Sequence, residues 1–273
     1  MTIGDVVDSV IGHAADAVLQ TRIEPAPAPA GAVLPSRFAC FVTGTDTDIG
    51  KTLVSSAMLY ALARSGVRAC GMKPVAAGAV LRDGAWHNDD ADLLAAASNV
   101  GMLASLTTPY MFREPAAPHI AADLEDVLIE PVTILAAYTE IAAASDAVVV
   151  EGVGGFRVPL SDDFDSADLA QQLGLPLVLV VGLRLGCINH ALLTAEAIAA
   201  RGLLLAGWVA NELEAEMNFA DENIEALLLH LPAPFLGRVP RLAQPSAAAA
   251  EYLNFSALPN WPPQAGRPDP NNH

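Results

Sequence analysis

The fold is decided by the stretch Phe38-Ala-Cys-Phe-Val-Thr-Gly-Thr-Asp-Thr-Asp-Ile-Gly-Lys-Thr52, in which an apolar run leads into a loop that ends in Gly-Lys-Thr. The apolar run predicts a strand, and the residues after Thr52 predict a helix. A strand, a glycine-bearing loop and a helix in this order are typical of a phosphate-binding loop, where backbone N–H groups and the helix dipole favour negative charge. We therefore expect Lys51 to contact the β- and γ-phosphates of a nucleotide and the Thr52 hydroxyl to be a ligand of Mg²⁺.

The loop departs from the usual pattern G-x-x-x-x-G-K-S/T. Five residues separate Gly44 from Gly50, and Thr45 occupies the place of the first glycine. A glycine turn with an unrelated lysine would also give this sequence. The phosphate-binding interpretation is favoured because a strand and a helix flank the loop in the required order, with Lys51 expected at an exposed loop end.

Composition argues against several kinds of partner. The 273 residues include 31 acidic and 14 basic ones, which gives a net charge of −17. This balance argues against nucleic acid and anionic membranes, because phosphate contacts need Lys or Arg. We see no apolar run of about 18 residues that could span a membrane and no signal-peptide pattern. Cys40, Cys70 and Cys187 lack metal-ligand spacing and are expected to be core residues, so we predict a cytoplasmic protein.

The chain is predicted to have three parts: an extension with a linker (1–36), one synthetase domain with the phosphate loop (37–258) and a mobile tail rich in Pro and Asn (259–273). The extension has apolar residues at helical spacing followed by alternating Pro and Ala. This pattern predicts an amphipathic helix and an extended linker. The helix could dock a partner, or it could be dispensable.

Between the extension and the tail, apolar strands alternate with helical stretches. Strands are predicted at 38–43, 67–73, 147–151, 177–183, 205–210 and 235–239, and helices at 51–65, 89–98, 131–144, 166–173, 188–201 and 219–230. Continuous runs such as Leu177–Val181 suit a parallel sheet that is buried on both faces. We therefore predict an α/β fold like that of P-loop NTPases. It would have a doubly wound, mainly parallel sheet, helices on both faces and a ligand site at the carboxyl ends of the strands.

Charged residues end two of these strands. Glu151 is followed by a glycine-rich turn, which would place its carboxylate opposite the phosphate loop, where Mg²⁺ needs a ligand beside Thr52. Glu151 could instead only cap a loop. Lys73 is expected to point into the cleft, with a snorkelling surface lysine as the alternative.

Two helix starts carry polar residues whose roles stay open. Asp89, Asp90 and Asp92 begin a predicted helix, where capping alone would explain them or one could bind a metal. Asn189 either caps the helix predicted at 188–201 or binds a ligand. No nucleophile pattern accompanies His190, so a structural role is favoured over a catalytic base.

Seven motifs lie between roughly residues 38 and 245 and can be read as one set. The set comprises Gly44–Thr52, Gly71-Met-Lys-Pro-Val-Ala-Ala-Gly78, Pro109-Tyr-Met-Phe-Arg-Glu-Pro115, Pro118-His119, Val150-Glu-Gly-Val-Gly-Gly155, Leu185-Gly-Cys-Ile-Asn-His190 and Gly207-Trp-Val-Ala-Asn211. Together these motifs resemble the dethiobiotin synthetases. Many ATPases share the phosphate loop, but the whole set in this order is specific, and only residues 1–36 have no counterpart in the family pattern.

The resemblance implies an ATP- and Mg²⁺-dependent ligase, a homodimer of biotin biosynthesis. It would close the ureido ring of dethiobiotin from 7,8-diaminononanoate and CO₂, with ADP and phosphate as the other products. One amine would capture CO₂ as a carbamate, ATP would phosphorylate it, and the second amine would close the ring. Lys51 and Lys73 would be the catalytic residues, since phosphoryl transfer needs cations rather than a nucleophilic side chain.

Residue by residue, the resemblance implies three sets of ligand contacts. Mg²⁺ would be held by Thr52, Asp90 and Glu151. The nucleotide would be bound by Asp48, Ile49, Gly50, Lys51, Thr52, Leu53, Asp90, Glu151, Gly152, Val153, Gly154, Asn211, Glu212, Pro240, Arg241 and Leu242, with the adenine near Asn211 and Pro240. The diamino acid would contact Ala77, Gly154 and Asn189, partly across the dimer interface.

Three positions depart from the family pattern. Serine is common where Ala77 stands, which puts a direct contact there in doubt. Asp48 replaces a frequent glutamate, and Asn223 aligns near a tyrosine that closes the substrate's tail in some members. None of these residues belongs to the phosphate machinery, so we expect activity with weaker substrate binding.

Two other functions also use a loop of this kind. Partitioning ATPases with a deviant loop carry a signature lysine at a position that is Asp46 here. Synthetases that amidate corrin acids usually add a glutamine-hydrolysing domain, for which 273 residues leave no room. ATP hydrolysis with and without the diamino acid and bicarbonate would separate these functions.

Overall fold

The computed structural model describes residues 38–214, 217–242 and 246–262. The helix and linker predicted within residues 1–36, and residues 263–273 of the predicted tail, lie outside the described residues. The described strands, in chain order, are β1 (Phe38–Gly44), β2 (Ala69–Met72), β3 (Val75–Ala77), β4 (Val80–Arg82), β5 (Ala85–His87), β6 (Tyr110–Phe112), β7 (Ala147–Glu151), β8 (Leu177–Leu183), β9 (Leu205–Glu212) and β10 (Phe235–Val239).

Nine α-helices lie in the described part of the chain. They are α1 (Lys51–Arg64), α2 (Asp89–Ala97), α3 (Ala104–Thr107), α4 (Pro118–Leu124), α5 (Pro131–Ala144), α6 (Ser166–Leu173), α7 (Cys187–Ala200), α8 (Ala220–His230) and α9 (Ser246–Ala249). Two short 3-10 helices follow, Ala250–Tyr252 and Phe255–Ala257. The six strands and six longer helices predicted from the sequence are all present, with ends that differ by one or two residues.

Six strands form one parallel sheet in the order β10-β9-β8-β1-β7-β2. The first strand, β1, therefore lies inside the sheet, between β7 and β8. Strand order reverses at β1, and a crevice at the carboxyl ends of the strands is the usual ligand site of such a sheet. The predicted doubly wound α/β fold is confirmed.

The sheet is covered on both faces because neighbouring residues of a strand point to opposite sides. On β8, Leu177, Leu179 and Val181 pack in one apolar layer with residues of α5, α6, α7 and α8. Val178 and Val180 pack in the other layer with residues of α1 and α9. Both faces of the strand are buried, which is why its sequence is continuously apolar.

Sequence periodicity missed the short elements at the carboxyl edge. Strands β3 and β6 pair in parallel, and β4 and β5 form an antiparallel hairpin. Each has three residues, which is too few for a pattern of period two to stand out. They matter for the site because β3, β4 and β5 join Lys73 to the start of α2, and β6 pairs with β3.

The predicted tail begins at Pro259, yet Trp261 within it is packed. Its ring lies 4.9 Å from that of Phe38 and 4.7 Å from that of Phe255, measured between centroids. The packed chain therefore continues past the predicted boundary. The prediction for the cysteines is confirmed, since all three are buried and free. In the described part of the chain, no helix has the length and apolar character needed to cross a membrane.

We expect Gly207→Ala to destabilise the domain. A Cβ atom at Gly207, on β9, would lie 2.8 to 3.0 Å from three side-chain atoms of Leu236, which is itself buried. Overpacking of this kind costs about 1–3 kcal/mol. Urea unfolding measures the change, and Gly101→Ala, where no heavy atom lies within 4 Å, is the matched control. Equal loss in both variants would contradict the packing described for β9.

Candidate active site

The loop between β1 and α1 is shaped by Gly50 and Asn211. Gly50 has a φ of 92°, in the left-handed region that favours glycine. A Cβ atom there would lie 2.2 Å from Nδ2 of Asn211. Asn211, on β9, donates from Nδ2 to the carbonyl oxygen of Ile49 (2.9 Å), while its Oδ1 is buried without a hydrogen-bond partner. Asn211 thus supports the loop and retains one acceptor for a ligand.

Lys51 is buried, which corrects the prediction of an exposed loop end. It is the first residue of α1 and only 6% exposed, and its Nζ donates to the carbonyl oxygen of Asp46 at 2.8 Å. Burial, and to a lesser extent the nearby charge of Lys73, lower the pKa of Lys51 to about 8, although the carboxylates of Glu151 and Asp90 act in the opposite direction. A bound anion would relieve both effects.

Three oxygen-bearing side chains converge beside Lys51. The Thr52 hydroxyl on α1 lies 2.7 Å from Oδ1 of Asp90 on α2 and 2.7 Å from Oε1 of Glu151 at the end of β7. One hydroxyl carries one proton, so it donates to only one carboxylate at a time. The sequence predicted this set from three separate segments, and the sheet brings them together.

Lys73 lies between the same two carboxylates. Its Nζ is 2.8 Å from Oδ2 of Asp90 and 2.6 Å from Oε1 of Glu151. Burial works against the charge of Lys73, but Glu151 and Asp90 outweigh it and raise the pKa of the ammonium. Burial likewise opposes the charge of Asp90, but Lys73 lowers the pKa of this carboxyl below its usual value. Lys73 is therefore a buried ion-pair partner and not a snorkelling surface lysine.

The side chains of Thr52, Asp90 and Glu151 are also suited to bind Mg²⁺. The described residues contain no cluster of three or more His, Cys, Asp or Glu side chains that could hold a metal. Mg²⁺ in nucleotide sites, however, usually takes one or two carboxylates and completes its shell with water and phosphate oxygens. Asp90, Glu151 and the Thr52 hydroxyl supply such hard oxygen atoms, and Oε2 of Glu151 is buried without a hydrogen-bond partner.

Asn88 positions Asp90 and was missed by the sequence analysis. Its Oδ1 accepts from the backbone N–H of Asp90 (3.1 Å) and Ala91 (3.3 Å), which makes it the cap of α2. The aspartates that follow are therefore not the cap. The other end of the Asn88 side chain donates to the carbonyl oxygen of Ala77 at 3.0 Å. An Asn before an acidic helix start is a recognisable cap signal.

The glycine turn after β7 lies against the phosphate loop. A Cβ atom on Gly152 would lie 3.0 Å from the ring of Phe41, and one on Gly154 would lie 3.5 Å from Oγ1 of Thr47. Gly154 also has a φ of 60°. A side chain at Gly152 would therefore crowd Phe41 on β1, and one at Gly154 would crowd Val158 while only touching Thr47 of the loop. The half-buried Val153 packs against the apolar layer that contains α5.

The residues predicted to contact adenine meet at the ends of β9 and β10, where Asn211 pairs with Val239. Glu212 is ion-paired with Arg238, which also pairs with Asp221. The sequence analysis did not find Arg238 because nothing local marks this contact. The next residues continue the same edge: Pro240 is half-buried, Arg241 donates to the carbonyl oxygen of Leu213 at 3.1 Å, and Leu242 packs beside the layer of α1.

The other predicted site residues lie in the phosphate loop, on α1 and on α7. Asp48 lies in the loop with a φ of 56°, Ile49 is buried, and Leu53 is half-buried on α1. Asn189 is exposed in the first turn of α7, whose N-cap is Gly186, so Asn189 does not cap this helix. Within the described single chain, no hydrogen bond joins Asn189 to the residues around Lys73.

Comparison with known proteins adds the following findings. Residues 39–249 match a family model described as an AAA domain. Over 230 residues, the chain is 60% identical to the ATP-dependent dethiobiotin synthetase BioD of Janthinobacterium sp. (strain Marseille). The matched region covers 82% of this chain and 98% of that relative.

Solved structures similar to the chain include the MinC:MinD cell division protein complex of Aquifex aeolicus, with 16% identity and a TM-score of 0.47 over 76% of this chain and 82% of that one. A ParA family ATPase from Chlorobium tepidum TLS gives 14% identity and a TM-score of 0.46, over 76% of this chain and 86% of that one.

We expect anion binding to weaken as the pH rises through the pKa of Lys51. This pKa is about 8 in the free protein, so the charge is present below pH 8 and lost above it. Affinity for a non-hydrolysable ATP analogue should fall about tenfold between pH 7 and pH 9. Isothermal titration measures this, and Lys51→Arg, which keeps its charge, should flatten the dependence. A flat wild-type profile would contradict the combination of a lowered pKa and a phosphate contact at Lys51.

Proposed function

The chain belongs to the family of ATP-dependent dethiobiotin synthetases, and we propose that it closes the ureido ring of dethiobiotin from 7,8-diaminononanoate and CO₂, with release of ADP and phosphate. As a member of this family it is an ATP-dependent ligase of biotin biosynthesis. The observation that best supports phosphoryl transfer from ATP is the convergence of Lys51, Lys73, Thr52, Asp90 and Glu151 at one edge of the sheet.

In the proposed reaction, one amine adds to CO₂ and loses a proton, which gives a carbamate. A carbamate oxygen then attacks the γ-phosphorus of ATP, and the bond to the bridging oxygen of ADP breaks. The second amine attacks the carbonyl carbon of the mixed anhydride, loses a proton and expels phosphate. No step needs a nucleophilic side chain, which agrees with the set of residues around Lys73.

Lys51 and Lys73 are the proposed catalytic residues. Phosphoryl transfer spreads negative charge over the phosphoryl oxygens, and fixed cations stabilise this charge best where water is excluded. Lys51 is 6% exposed and Lys73 is 3% exposed. Both ammonium groups are held by hydrogen bonds to protein oxygens before any ligand arrives, so little reorganisation is required.

We propose that Thr52, Asp90 and Glu151 hold Mg²⁺. When bound, the ion neutralises charge on the phosphates of ATP. Oε1 of Glu151 and the carboxylate of Asp90 contact Lys73 as well as Thr52. The same two carboxylates would therefore orient the catalytic ammonium group towards the nucleotide site.

Further assignments complete the proposal. Asp48, Ile49, Gly50 and Leu53 would contact the nucleotide together with Gly152, Val153 and Gly154, and Asn211, Glu212, Pro240, Arg241 and Leu242 would lie at its adenine end. The diamino acid would contact Ala77, Gly154 and Asn189 in a homodimer, in which a partner subunit could complete the site. The division at residue 36 and the cytoplasmic location are proposed with it, whereas the packed domain extends past residue 258 to include Trp261.

The activity is tested with the purified full-length protein, Mg²⁺ and ATP. We expect dethiobiotin and ADP to form in equal amounts when 7,8-diaminononanoate and bicarbonate are both present. Mass spectrometry of the product and an ADP assay measure this. Leaving out the diamino acid should abolish ADP release. ATP hydrolysis at the same rate with and without the diamino acid would contradict the proposed reaction.

We expect Glu151→Gln to raise the Mg²⁺ concentration needed for half-maximal turnover by about tenfold or more, because an amide oxygen is a weaker ligand than a carboxylate. Glu196→Gln, at an exposed position of α7, should leave the Mg²⁺ titration unchanged. Thermal unfolding checks that both variants are folded. An unchanged titration in a folded Glu151→Gln protein would give Glu151 a structural role.

A further inference from the structure

Asp46 connects the phosphate loop to the segment that follows β8. Its Oδ2 is ion-paired with Nη2 of Arg184. Its Oδ1 accepts from the backbone N–H of Thr47 at 2.8 Å, and its carbonyl oxygen accepts from Nζ of Lys51 at 2.8 Å. The Thr47 hydrogen bond and the Arg184 guanidinium lower the pKa of Asp46. One residue thus holds the loop lysine and reaches a different segment of the chain.

Arg184 begins the connection from β8 to α7. The backbone N–H of Cys187 donates to its carbonyl oxygen at 3.0 Å, which closes a turn, and Gly186 then caps α7 with a φ of 94°. Leu185 is 97% exposed, so its side chain does not hold this turn against the domain. The first turn of α7 carries Asn189, which we propose as a contact of the diamino acid.

The ion pair between Asp46 and Arg184 contributes little to the stability of the fold. The side chains of Arg184 and Asp46 are 41% and 45% exposed, and ion pairs between side chains so accessible to water add little to folding stability. The pair spans 138 positions of sequence and joins the segment that carries Lys51 to the segment that carries Asn189. Its position, rather than its strength, indicates a role in the alignment of two substrates.

We propose that Asp46 and Arg184 are positioning residues that fix residues 184–190 of each subunit against its own phosphate loop, so that Asn189 is held in place for the diamino acid at the dimer interface. The proposal rests on the proposed function for the identity of that substrate. Alignment of reacting groups is sensitive, since a displacement of about 1 Å can cost about 100-fold in rate. Neither side chain needs to contact a reacting atom for this effect.

Steady-state kinetics tests the pair. In Arg184→Met, we expect kcat/KM for 7,8-diaminononanoate to fall roughly tenfold or more and the KM for ATP to stay within about twofold. Asp46→Asn should do the same, and the double variant should cost no more than either single one, because both act through one contact. Arg184→Lys keeps the charge and should restore most of the loss.

Arg201→Met is the control, because Arg201 follows the opposite end of α7 and is ion-paired there with Asp168. Its kinetic constants should match those of the wild type. The proposal is overturned if Arg184→Met raises the KM for ATP and spares the diamino acid, since Arg184 would then act on the nucleotide. Additive losses in the double variant, or a loss explained by a lower melting temperature, would overturn it as well.

Hydrogen exchange supplies a measurement that needs no diamino acid. A non-hydrolysable ATP analogue should slow exchange in residues 184–190 of the wild type, and this protection should be lost in Arg184→Met and Asp46→Asn. Protection that persists in both variants would contradict the link. If the wild type shows the link but does not turn over the diamino acid, the proposed function fails while the positioning role stands.

Discussion

The contact between the Lys73 ammonium and two carboxylates is the constraint on which the site depends. Lys73 follows β2, Asp90 lies on α2 and Glu151 ends β7, so the contact joins three elements. Glu151 is fully buried and Lys73 nearly so. Removing one partner of a buried ion pair typically costs about 3–5 kcal/mol, because a charge is left uncompensated. Each charge is tolerated only because the others are in place.

The sheet explains why these charges can meet at all. Because β2, β7 and β1 are parallel neighbours, their carboxyl ends share one edge, and side chains distant in sequence arrive there together. The protein as a whole is acidic, with a net charge of −17. Lys51, whose Nζ donates to a backbone carbonyl oxygen, supplies the local positive charge that an anionic substrate requires, whereas Lys73 and Arg184 are paired with carboxylates.

Much of the sheet was predictable from sequence, because buried parallel strands such as β8 are continuously apolar. The meeting of Thr52 and Glu151 was also predictable, since one begins a helix after a recognisable strand and the other ends a strand. For Asp90 the residue pattern left helix capping open, and only the family resemblance singled it out. The burial of Lys51 and its effect on the pKa were not, because they depend on tertiary packing. The pairing of Asp46 with Arg184 leaves no local signal, whereas Asn88 did carry one, as a helix cap.

The packing of Trp261 on Phe38 bears on how the chain is made. Strand β1 emerges early from the ribosome, but its neighbours β7 and β8 begin about 100 residues later, and its aromatic cover comes later still. Contacts so distant in sequence slow folding, and an uncovered apolar strand is prone to aggregation during synthesis. Strand β1 therefore stays unpaired until β7 has been synthesised. During that time chaperones can bind the exposed apolar strand.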